Sequence, residues 1–546
     1  MIGWNELNDT VIKNELCCLC GTCIGVCPVN AIKFKDERIS ETENNCINCG
    51  KCMSSCPGIG FNYVDMNEDI FQASNENNNK DLGFYLDIKK GYACDEKIRY
   101  GASSGGIATA LSLYLLENNI IDGVIGVVPE GKGYKAGILR TREEIIEAKQ
   151  SKYVFIPVNE IIKQLLATDG KYLFVGLPCH IQGMRKAEKL NVKLEDKIFM
   201  YVGIFCGFNM SSLATDFLIK KSKISCEKIE SIQYRGIKNG NTGFLIKSKD
   251  KDFFVSKHGY TILNAFYSKP RCWKCYDLTG EFADISLGDA WEMDGAWSRI
   301  IIRSKKAEAI INEMQTRESI FCIQSDIDDI YSTQKKLVNY KKHDIYTRQI
   351  MLKHFPDYNL GNDIGSGKVN FKAKMFMICL KLGQINFIRS ALGLLPIFLV
   401  EKVSIAMRKN TNGKKDLNEG LKYLFWGVIT VVVGFVSFWG LSKLGMEYKI
   451  ANIFSIVLTK VFAYITNKLF VFESKCNSIF DLVKEMVKFI ISRGFSGIVE
   501  FVGLIVLVDF LRFNKIVGKG LLIVITTSIN YFSGKNHVFK SNISNN

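Results

Sequence analysis

A repeated cysteine pattern near the amino terminus is the strongest constraint on this chain. Four cysteines spaced C-x2-C-x2-C-x3-C and followed by proline occupy residues 17–28, and the same pattern recurs 29 residues later at residues 46–57. Three thiolates at this spacing can bind three corners of one [4Fe–4S] cube, and the fourth, before proline, reaches the other cube. Zinc prefers separated cysteine pairs, so the repeat predicts two [4Fe–4S] clusters.

The spacing also assigns the cluster ligands. The first cluster site is predicted to consist of Cys17, Cys20, Cys23 and Cys56. The second cluster site is predicted to consist of Cys46, Cys49, Cys52 and Cys27. Residues 10–65 resemble a bacterial-type two-cluster ferredoxin, an α+β domain that carries single electrons, and Gly21 and Gly50 match its usual small residues. Cys18 is not needed as a ligand, and we expect a small buried or semi-exposed thiol there.

Composition limits the class and the compartment. Hydrophobic residues make up 47% of the 546 residues and charged residues 23%, which excludes a disordered chain. Residues 1–16 contain no apolar secretory segment, so the amino-terminal half is expected in the cytosol, where thiols stay reduced. Residues 401–546 carry 19 basic and 9 acidic residues around apolar segments, as in membrane proteins. Zinc-finger spacings and RNP-type motifs are missing, so no nucleic-acid partner is expected.

A second block follows the polar, asparagine-rich residues 66–83, which predict a linker. Residues 103–106 are Ser-Ser-Gly-Gly and precede an apolar helical stripe, so their N–H groups could bind a phosphate. An ordinary helix cap with a glycine turn would look the same. Residues 123–128 and 172–177 predict buried strands between helical stretches, which indicates an α/β architecture.

Four further cysteines stand out in this block. Cys179 follows a predicted strand at the sheet edge where α/β proteins bind ligands, and this position favours a functional role over that of a core cysteine. Cys206 ends another apolar strand. Cys272 and Cys275 form a C-x-x-C pair, which could be a zinc site, a redox dithiol or part of a cluster site. Cys179 and Cys206 would complete a set of four thiolates with that pair.

The order of motifs in residues 84–345 resembles the coenzyme F-420 (deazaflavin) hydrogenase/dehydrogenase beta-subunit family. The matching stretches are 103–106, 150–153, 176–179, 205–207 and 272–286. The resemblance implies a flavin-type redox domain that binds FAD rather than FMN through Ser103, Ser104, Gly105, Gly106, Ser151, Lys152 and Tyr153. It also implies a third [4Fe–4S] cluster at a third cluster site made of Cys179, Cys206, Cys272 and Cys275. Lys152 could instead be a solvated surface cation.

Residues 416–546 predict a membrane domain behind a connector at 346–415. Four apolar stretches approach the roughly 20 residues that a spanning helix needs, at 423–441, 450–472, 489–510 and 517–532. Basic residues precede the first, separate the second from the third and follow the fourth. We therefore expect an all-α four-helix transmembrane domain with both termini in the cytoplasm.

The membrane domain also contains an internal repeat. The motif Lys-x-x-Val-Phe occurs at residues 468–472 and again 67 residues later at 535–539. Residues 420–541 resemble the GtrA-like family, which implies a polyprenyl-phosphate-linked sugar as ligand. Arg493 lies inside the third apolar stretch, where it could meet a lipid phosphate, pair with Glu500 or extend to the interface.

These features together predict a multidomain enzyme at the inner membrane face. It would be an iron–sulfur flavoprotein oxidoreductase that exchanges a hydride with an organic substrate in cell-envelope polysaccharide metabolism. Its partners would be the lipid bilayer, a polyprenyl-phosphate-linked sugar and an unknown redox partner, and no catalytic residue is assigned. The alternatives are a deazaflavin oxidoreductase whose membrane part is only an anchor, and a transport protein that its redox domain regulates.

Overall fold

A computed structural model of the chain describes residues 3–42, 45–72, 78–131, 133–361 and 369–394, then 443–472, 479–506 and 525–539, with isolated residues at 397–441 and 474. The contacts divide the chain into two compact units, Met1–Arg389 and Ser390–Asn546. The first unit contains the cysteine repeat, and the second contains the four apolar stretches.

The first unit begins with two short halves that mirror the cysteine repeat. In each half a left-handed glycine, Gly21 (φ +85°) or Gly50 (φ +74°), immediately precedes a four-residue helix that carries the third cysteine of the run. The helices are Trp4–Leu7, Thr22–Gly25, Lys51–Ser54 and Tyr63–Phe71, with a π-helical turn at Asn8–Ile12. The strands are β1 (Ile32–Lys35) paired antiparallel with β2 (Arg38–Glu41), and β3 (Gly60–Asn62).

The stretch predicted as a linker, residues 66–83, is partly regular. The helix Tyr63–Phe71 extends into it, because the Asn62 side chain caps the helix by accepting a hydrogen bond from the Asp65 N–H, and because Met66 is buried. Two short strands, β4 (Asn78–Asn79) and β5 (Gly83–Phe84), pair antiparallel farther on. An asparagine-rich composition is typical of loops, but asparagine is also a preferred residue for capping helices.

The centre of the first unit is an eight-stranded mixed sheet. Its strands are β6 (Asp87–Ala93), β7 (Gly123–Glu130), β8 (Gly133–Leu139), β9 (Tyr172–Gly176), β10 (Ile198–Ile204), β14 (Ile285–Asp289), β15 (Ser298–Ile302) and β16 (Ile320–Gln324). The spatial order is β16-β6-β15-β14-β10-β9-β7-β8. The four strands β14, β10, β9 and β7 are parallel, whereas both edges are antiparallel. This is the α/β arrangement that the sequence predicts.

Helices cover both faces of this sheet. Consecutive residues of β9 illustrate this, since Leu173 packs into one core and Phe174 into the other. The helices are Glu96–Gly101, Ile107–Glu117, Arg142–Glu147, Ile162–Ala167, Pro178–Glu188, Val192–Lys197, Leu213–Ser222, Lys257–Thr261, Asn264–Tyr267, Pro270–Trp273, Lys305–Thr316 and Ile327–Val338. Single 3₁₀ turns lie at Val158–Ile161 and Cys226–Lys228. A separate antiparallel sheet consists of β11 (Ile229–Lys238), β12 (Asn241–Ser248) and β13 (Phe253–Ser256).

The predicted connector, residues 346–415, contributes to the first unit as far as Arg389. A π-helical turn at Asn339–His343 leads into the helix Ile345–Met351, the strand β17 (Asp357–Asn359), and the helices Phe371–Gly383 and Asn386–Leu394. β17 pairs parallel with β3 of the amino-terminal segment. The buried Arg348 guanidinium donates to the carbonyls of Trp273 (2.7 Å) and Cys275 (3.1 Å). Long-range pairings therefore order this part of the predicted connector.

The described residues of the second unit are mostly helical. Its long helices are Tyr448–Thr466, which continues into a π-helical turn at Asn467–Val471, and Ile479–Ile505. A second π-helical turn, Gly534–Val538, follows helical residues 525–533. Among the described residues, one helix, Ile453–Val471, is long and apolar enough to cross a membrane (mean hydropathy 1.4). It matches the second predicted span. Residues 489–505 of the third predicted span lie in the helix Ile479–Ile505, and much of the first and fourth spans lies outside the described residues.

Candidate functional site

The four thiols of the first cluster site lie close together in the amino-terminal segment. Burial raises the pKa of Cys23 well above its usual value, and the neighbouring thiols Cys17 and Cys56 raise it further. The backbone N–H of Gly58 donates to the Cys56 sulfur over 3.3 Å. Buried thiols that lie close together repel one another when they are deprotonated. A positively charged ligand, such as the iron–sulfur core of a cluster, would stabilise these thiolates.

The second cluster site has the same character but is closer to the surface. Cys27, Cys46, Cys49 and Cys52 all line one cavity. The backbone N–H of Trp4 donates to the Cys46 sulfur, and that of Ala31 donates to the Cys27 sulfur, each over 3.3 Å. Cys49 is exposed, whereas Cys52 is buried.

The third cluster site is brought together from distant parts of the chain. Cys179 is the second residue of the helix after β9, and Cys206 follows β10. Burial raises the pKa of Cys206 to about 12; Lys341 opposes this rise and Cys272 and Cys275 add to it. A hydrogen bond with Cys18, burial and the nearby Cys206 raise the pKa of Cys179. The parallel strand ends thus place Cys179 and Cys206 side by side, as in other α/β sheets.

Lys341 is a buried cation beside this third site that the sequence did not indicate. Its ammonium donates to the carbonyls of Cys206 and Asp277, each over 2.6 Å, and lies 3.4 Å from the Cys275 sulfur. Lys341 follows the helix Ile327–Val338, more than 60 residues beyond the C-x-x-C pair, so no local pattern links them. A fixed positive charge here would stabilise an anionic group bound by the four thiolates.

The donor atoms of the cysteine sites fit iron–sulfur clusters. The donors at all three sites are sulfur, and N–H groups or a buried ammonium point at several of those sulfurs. All-thiolate ligation with hydrogen bonds to sulfur is typical of [4Fe–4S] sites.

The small-residue loop 103–106 is held tightly between the sheet and the loop that follows residue 150. The Ser151 N–H donates to Ser103 Oγ (2.8 Å), and Ser104 Oγ donates to the Trp297 carbonyl (2.6 Å). A Cβ atom at Gly105 would lie 2.5 Å from the Gly91 carbonyl oxygen, so only glycine fits there. Gly106 directly precedes the helix Ile107–Glu117, and the loop therefore sits at the positive end of that helix.

A buried ion pair, Arg235–Asp289, joins the pieces of this site. Arg235 lies on β11 and Asp289 ends β14, and their closest N–O distance is 3.0 Å. Arg235 also donates to the Ser103 carbonyl (2.7 Å) and to the Tyr153 hydroxyl (3.5 Å). Although burial raises the pKa of Asp289, Arg235 and Lys257 outweigh it, and the net shift is downward. The cofactor site, as we name it, comprises Ser103, Ser104, Gly105, Gly106, Ser151, Tyr153, Arg235 and Asp289.

Lys152 is among the predicted cofactor-binding residues, but its ammonium does not contact the other residues of the cofactor site. Its ammonium donates to the carbonyls of Ala148 (2.5 Å) and Lys149 (2.7 Å), where it stabilises the carboxyl end of the helix Arg142–Glu147. Burial lowers the pKa of Lys152 to about 8. Tyr153, by contrast, packs beside the rings of Tyr234 (6.0 Å between centroids) and Tyr260 (5.6 Å).

The polar residues of the second unit form contacts with one another. The Arg493 guanidinium donates to the Tyr423 hydroxyl (2.9 Å) and lies 4.8 Å from the centre of the Phe489 ring. The two copies of the Lys-x-x-Val-Phe motif meet, because the Phe472 and Phe539 rings stack 5.1 Å apart. The internal repeat thus corresponds to two similar π-helical turns that pack against each other.

Comparison with known proteins identifies the parts of the chain. Residues 88–163 match the amino-terminal part, and residues 169–326 the carboxyl-terminal part, of the coenzyme F420 hydrogenase/dehydrogenase beta subunit. Coenzyme F420 hydrogenase subunit beta of Methanothermobacter thermautotrophicus is 30% identical over 244 residues, which cover 42% of this chain and 82% of that protein. The chain belongs to the coenzyme F420 hydrogenase/dehydrogenase beta-subunit family. The resemblance drawn from the motifs is confirmed.

This member of the beta-subunit family carries two additional domains. Residues 9–57 match the 4Fe-4S dicluster domain and residues 422–539 match the GtrA/DPMS transmembrane domain. Coenzyme F420-dependent sulfite reductase of Methanocaldococcus jannaschii is 28% identical over 363 residues, 63% of this chain, and the chain spans about half (52%) of that relative's length. The membrane protein YwcD of Bacillus subtilis is 34% identical over 119 residues, 22% of this chain and 94% of that protein. The chain is thus a multidomain membrane protein.

The prediction of FAD was wrong. The related hydrogenase, sulfite reductase and formate dehydrogenase proteins are named for coenzyme F420, which points to a deazaflavin instead, whereas the prediction of [4Fe–4S] clusters fits the dicluster match. The physical reason is that a small-residue loop at a helix terminus recognises a phosphate and does not distinguish one phosphate-bearing cofactor from another. A role in polysaccharide metabolism has no support among these relatives.

Proposed function

We propose that this chain is a membrane-attached iron–sulfur oxidoreductase that exchanges electrons between [4Fe–4S] clusters and coenzyme F420. The observation that carries the proposal is the presence of three all-cysteine sites and the cofactor site in one compact unit, Met1–Arg389, of a family named for F420. When bound, F420 would supply two-electron hydride chemistry and the clusters one-electron chemistry. The electron donor or acceptor outside the chain is a redox partner whose identity is open.

The residues of the cofactor site would bind and orient the deazaflavin. The positive end of the helix Ile107–Glu117 favours an anion next to Ser103 and Ser104, so we place a phosphate of the cofactor there. Arg235 adds a fixed charge 2.7 Å from the Ser103 carbonyl. The ring of Tyr153, held by Arg235 and two neighbouring tyrosines, offers an aromatic surface to the cofactor.

The cysteine sites would hold the clusters in the predicted sets. The first and second sites exchange their fourth ligands, Cys56 and Cys27, as in a two-cluster ferredoxin. The exposure of Cys49 supports electron exchange with an outside partner at the second site. Lys341 would stabilise the negative charge of the third site.

We further propose that the GtrA-like domain spans the membrane four times, with the termini and the first unit in the cytoplasm. Exposed apolar side chains along the helix Tyr448–Thr466, among them Ile453, Phe454 and Val457, support contact with lipid. A polyprenyl-phosphate-linked sugar is the ligand that the GtrA likeness suggests, and Arg493 would meet its phosphate. In detergent, Arg493→Gln should then weaken polyprenyl phosphate binding, whereas Lys488→Gln on the same helix should not; equal binding by both variants would refute this assignment.

Steady-state turnover tests the oxidoreductase proposal. The full chain, purified in detergent without oxygen, should oxidise reduced F420 and reduce a viologen dye, with two dye molecules reduced per F420. Cys52→Ser at the second cluster site should remove most of this activity, whereas the exposed, non-ligand Cys226→Ser should retain it. Iron-loaded protein that fails to oxidise reduced F420 would overturn the proposal.

A further inference from the structure

Trp291 is a large aromatic side chain that stays exposed at the edge of the cofactor site. It lies in residues 290–297, which we call the rim loop and which directly follow Asp289. The far end of the rim loop also contacts the cofactor site, because Ser104 Oγ donates to the Trp297 carbonyl over 2.6 Å. Between these two ends, 46% of the Trp291 surface is exposed.

The rim loop is anchored on both sides of this exposed indole. The neighbouring Glu292 pairs with Arg299, whose side chain is only 1% exposed. Farther along the loop, the Ala296 carbonyl accepts a hydrogen bond from Arg99 Nε over 3.0 Å. An exposed indole on an anchored backbone is a preformed surface on which a flat aromatic ligand can stack.

Lys257 links this indole to the cofactor site. Its ammonium lies 3.8 Å from the centre of the Trp291 ring and 3.9 Å from Asp289 Oδ2. An ammonium this close to an indole is attracted to the negative face of the ring. One side chain therefore contacts both the indole and a member of the cofactor site, so Trp291 lies beside that site.

Tyr260, on the same helix as Lys257, carries a buried hydroxyl that lacks a partner. The two residues are three positions apart in the helix Lys257–Thr261, so their side chains lie on the same face. The Tyr260 ring lies 5.6 Å from the ring of Tyr153, a member of the cofactor site. Only 3% of Tyr260 is exposed, and its hydroxyl has no hydrogen-bond partner among the described residues. Because such a hydroxyl is costly, a ligand with an acceptor for it would be favoured.

We propose that Trp291 and Tyr260 form a ring subsite, which binds the planar ring of the deazaflavin. This inference rests on the proposed function, in which residues 103–106 bind a phosphate of the same cofactor. The indole stacks on the ring, and the Tyr260 hydroxyl donates to a carbonyl oxygen or nitrogen of the ring. Lys257 is a positioning residue that holds the indole. Binding at this subsite forms and breaks no covalent bond.

The binding of two ligands tests the ring subsite in the full chain, purified in detergent without oxygen. The ligands are oxidised F420 and a phosphate-free deazaflavin that keeps the ring and its ribityl chain. The variants are Trp291→Ala, Trp291→Phe and Tyr260→Phe. Phe321→Ala, at an exposed aromatic side chain (43%) on the edge strand β16, is the control. The readouts are the Kd from equilibrium dialysis, the quenching of tryptophan fluorescence by bound ligand, and the melting temperature.

We expect Trp291→Ala to raise the Kd of both ligands about threefold to tenfold, the effect of losing one aromatic pair. Trp291→Phe should restore most of the affinity but lose part of the fluorescence quenching, because the indole that contacts the ligand is gone. Tyr260→Phe should raise both Kd values about threefold to tenfold, the effect of one hydrogen bond. It should not lower the melting temperature, because the hydroxyl makes no hydrogen bond in the ligand-free protein. Phe321→Ala should change neither Kd.

Unchanged Kd values in either Trp291→Ala or Tyr260→Phe would overturn the ring subsite. Gly105→Ala, in the phosphate loop, should weaken the binding of F420 and not that of the phosphate-free ligand. If Trp291→Ala showed this same pattern, the indole would act at the phosphate and the ring subsite would be overturned.

The same experiment separates this inference from the proposed function. Unsubstituted protein that binds neither ligand would overturn both the ring subsite and the proposed function. Protein that binds both ligands with the expected dependence on Trp291 and Tyr260, but that does not oxidise reduced F420, would overturn the proposed function and leave the ring subsite supported.

Discussion

Replacing Arg235 with glutamine is the most informative perturbation of the cofactor site. Arg235 is paired with Asp289 at 3.0 Å, and the two side chains are 10% and 18% exposed. Removing one partner of a buried ion pair costs about 3–5 kcal/mol, because the other charge stays buried without compensation. Lys257 remains 3.9 Å from Asp289 and compensates in part. We therefore expect the low end of the range, about 3 kcal/mol.

The substitution should also loosen the site, since Arg235 donates to the Ser103 carbonyl and the Tyr153 hydroxyl. We expect a fall of roughly 5 °C in the melting temperature of the first unit and a KM for reduced F420 raised at least tenfold, as the loss of a charged hydrogen bond would give.

Two further variants separate the causes. Lys228→Gln breaks the exposed Lys228–Asp250 pair on the same hairpin and should cost at most about 1 kcal/mol. The double substitution of Arg235 and Asp289 by leucine should recover stability, because no charge stays buried, but it should not recover F420 binding. If Arg235→Gln matched Lys228→Gln in both melting temperature and KM, the assigned role of the ion pair would be refuted.

Three other predictions follow from the same contacts. Gly105→Ala should lower the free energy of unfolding by about 1–3 kcal/mol and raise the KM for F420, because its Cβ would press on the Gly91 carbonyl. The control Gly240→Ala, strained only by its φ of +75°, should lower the free energy of unfolding by a similar ~1–2 kcal/mol with no change in KM. Because burial lowers the pKa of Lys152 to about 8, the folded state binds fewer protons than the unfolded state up to about pH 10, so stability should rise with pH over that window. Thermal melts from pH 7 to 10 should show this rise, and Lys152→Met should flatten it; parallel curves would contradict the assignment. Lys341→Met should leave the carbonyls of Cys206 and Asp277 without their donor and lower the iron content by about four per chain, whereas unchanged iron would argue against its role.

The parts that the sequence predicted best are those in which the chemistry is local. The spacing of four cysteines within eleven residues is itself the ligand pattern, so the dicluster domain could be recognised from the sequence alone. The strands around Cys179 and Cys206 could be predicted for a similar reason, because each is a short apolar run before a turn.

The features that could not be predicted from the sequence depend on contacts between residues that are far apart in the chain. Arg235 and Asp289 are 54 residues apart on strands of different sheets, and nothing in either neighbourhood marks them as partners. Lys341 reaches the third cluster site only because the segment behind it packs on the redox domain. The strand β17 could not be predicted for the same reason: it is three residues long and pairs with β3, which lies far away in the chain.

A single-turnover experiment tests the central claim most directly. Oxidised, iron-loaded protein is mixed without oxygen with one equivalent of reduced F420 and no other acceptor, and the absorbance of F420 and of the clusters is followed together. We expect F420 to be oxidised while the clusters bleach at the same rate, with two cluster electrons gained per F420. Clusters that dithionite reduces but that stay oxidised in the presence of reduced F420 would contradict this claim.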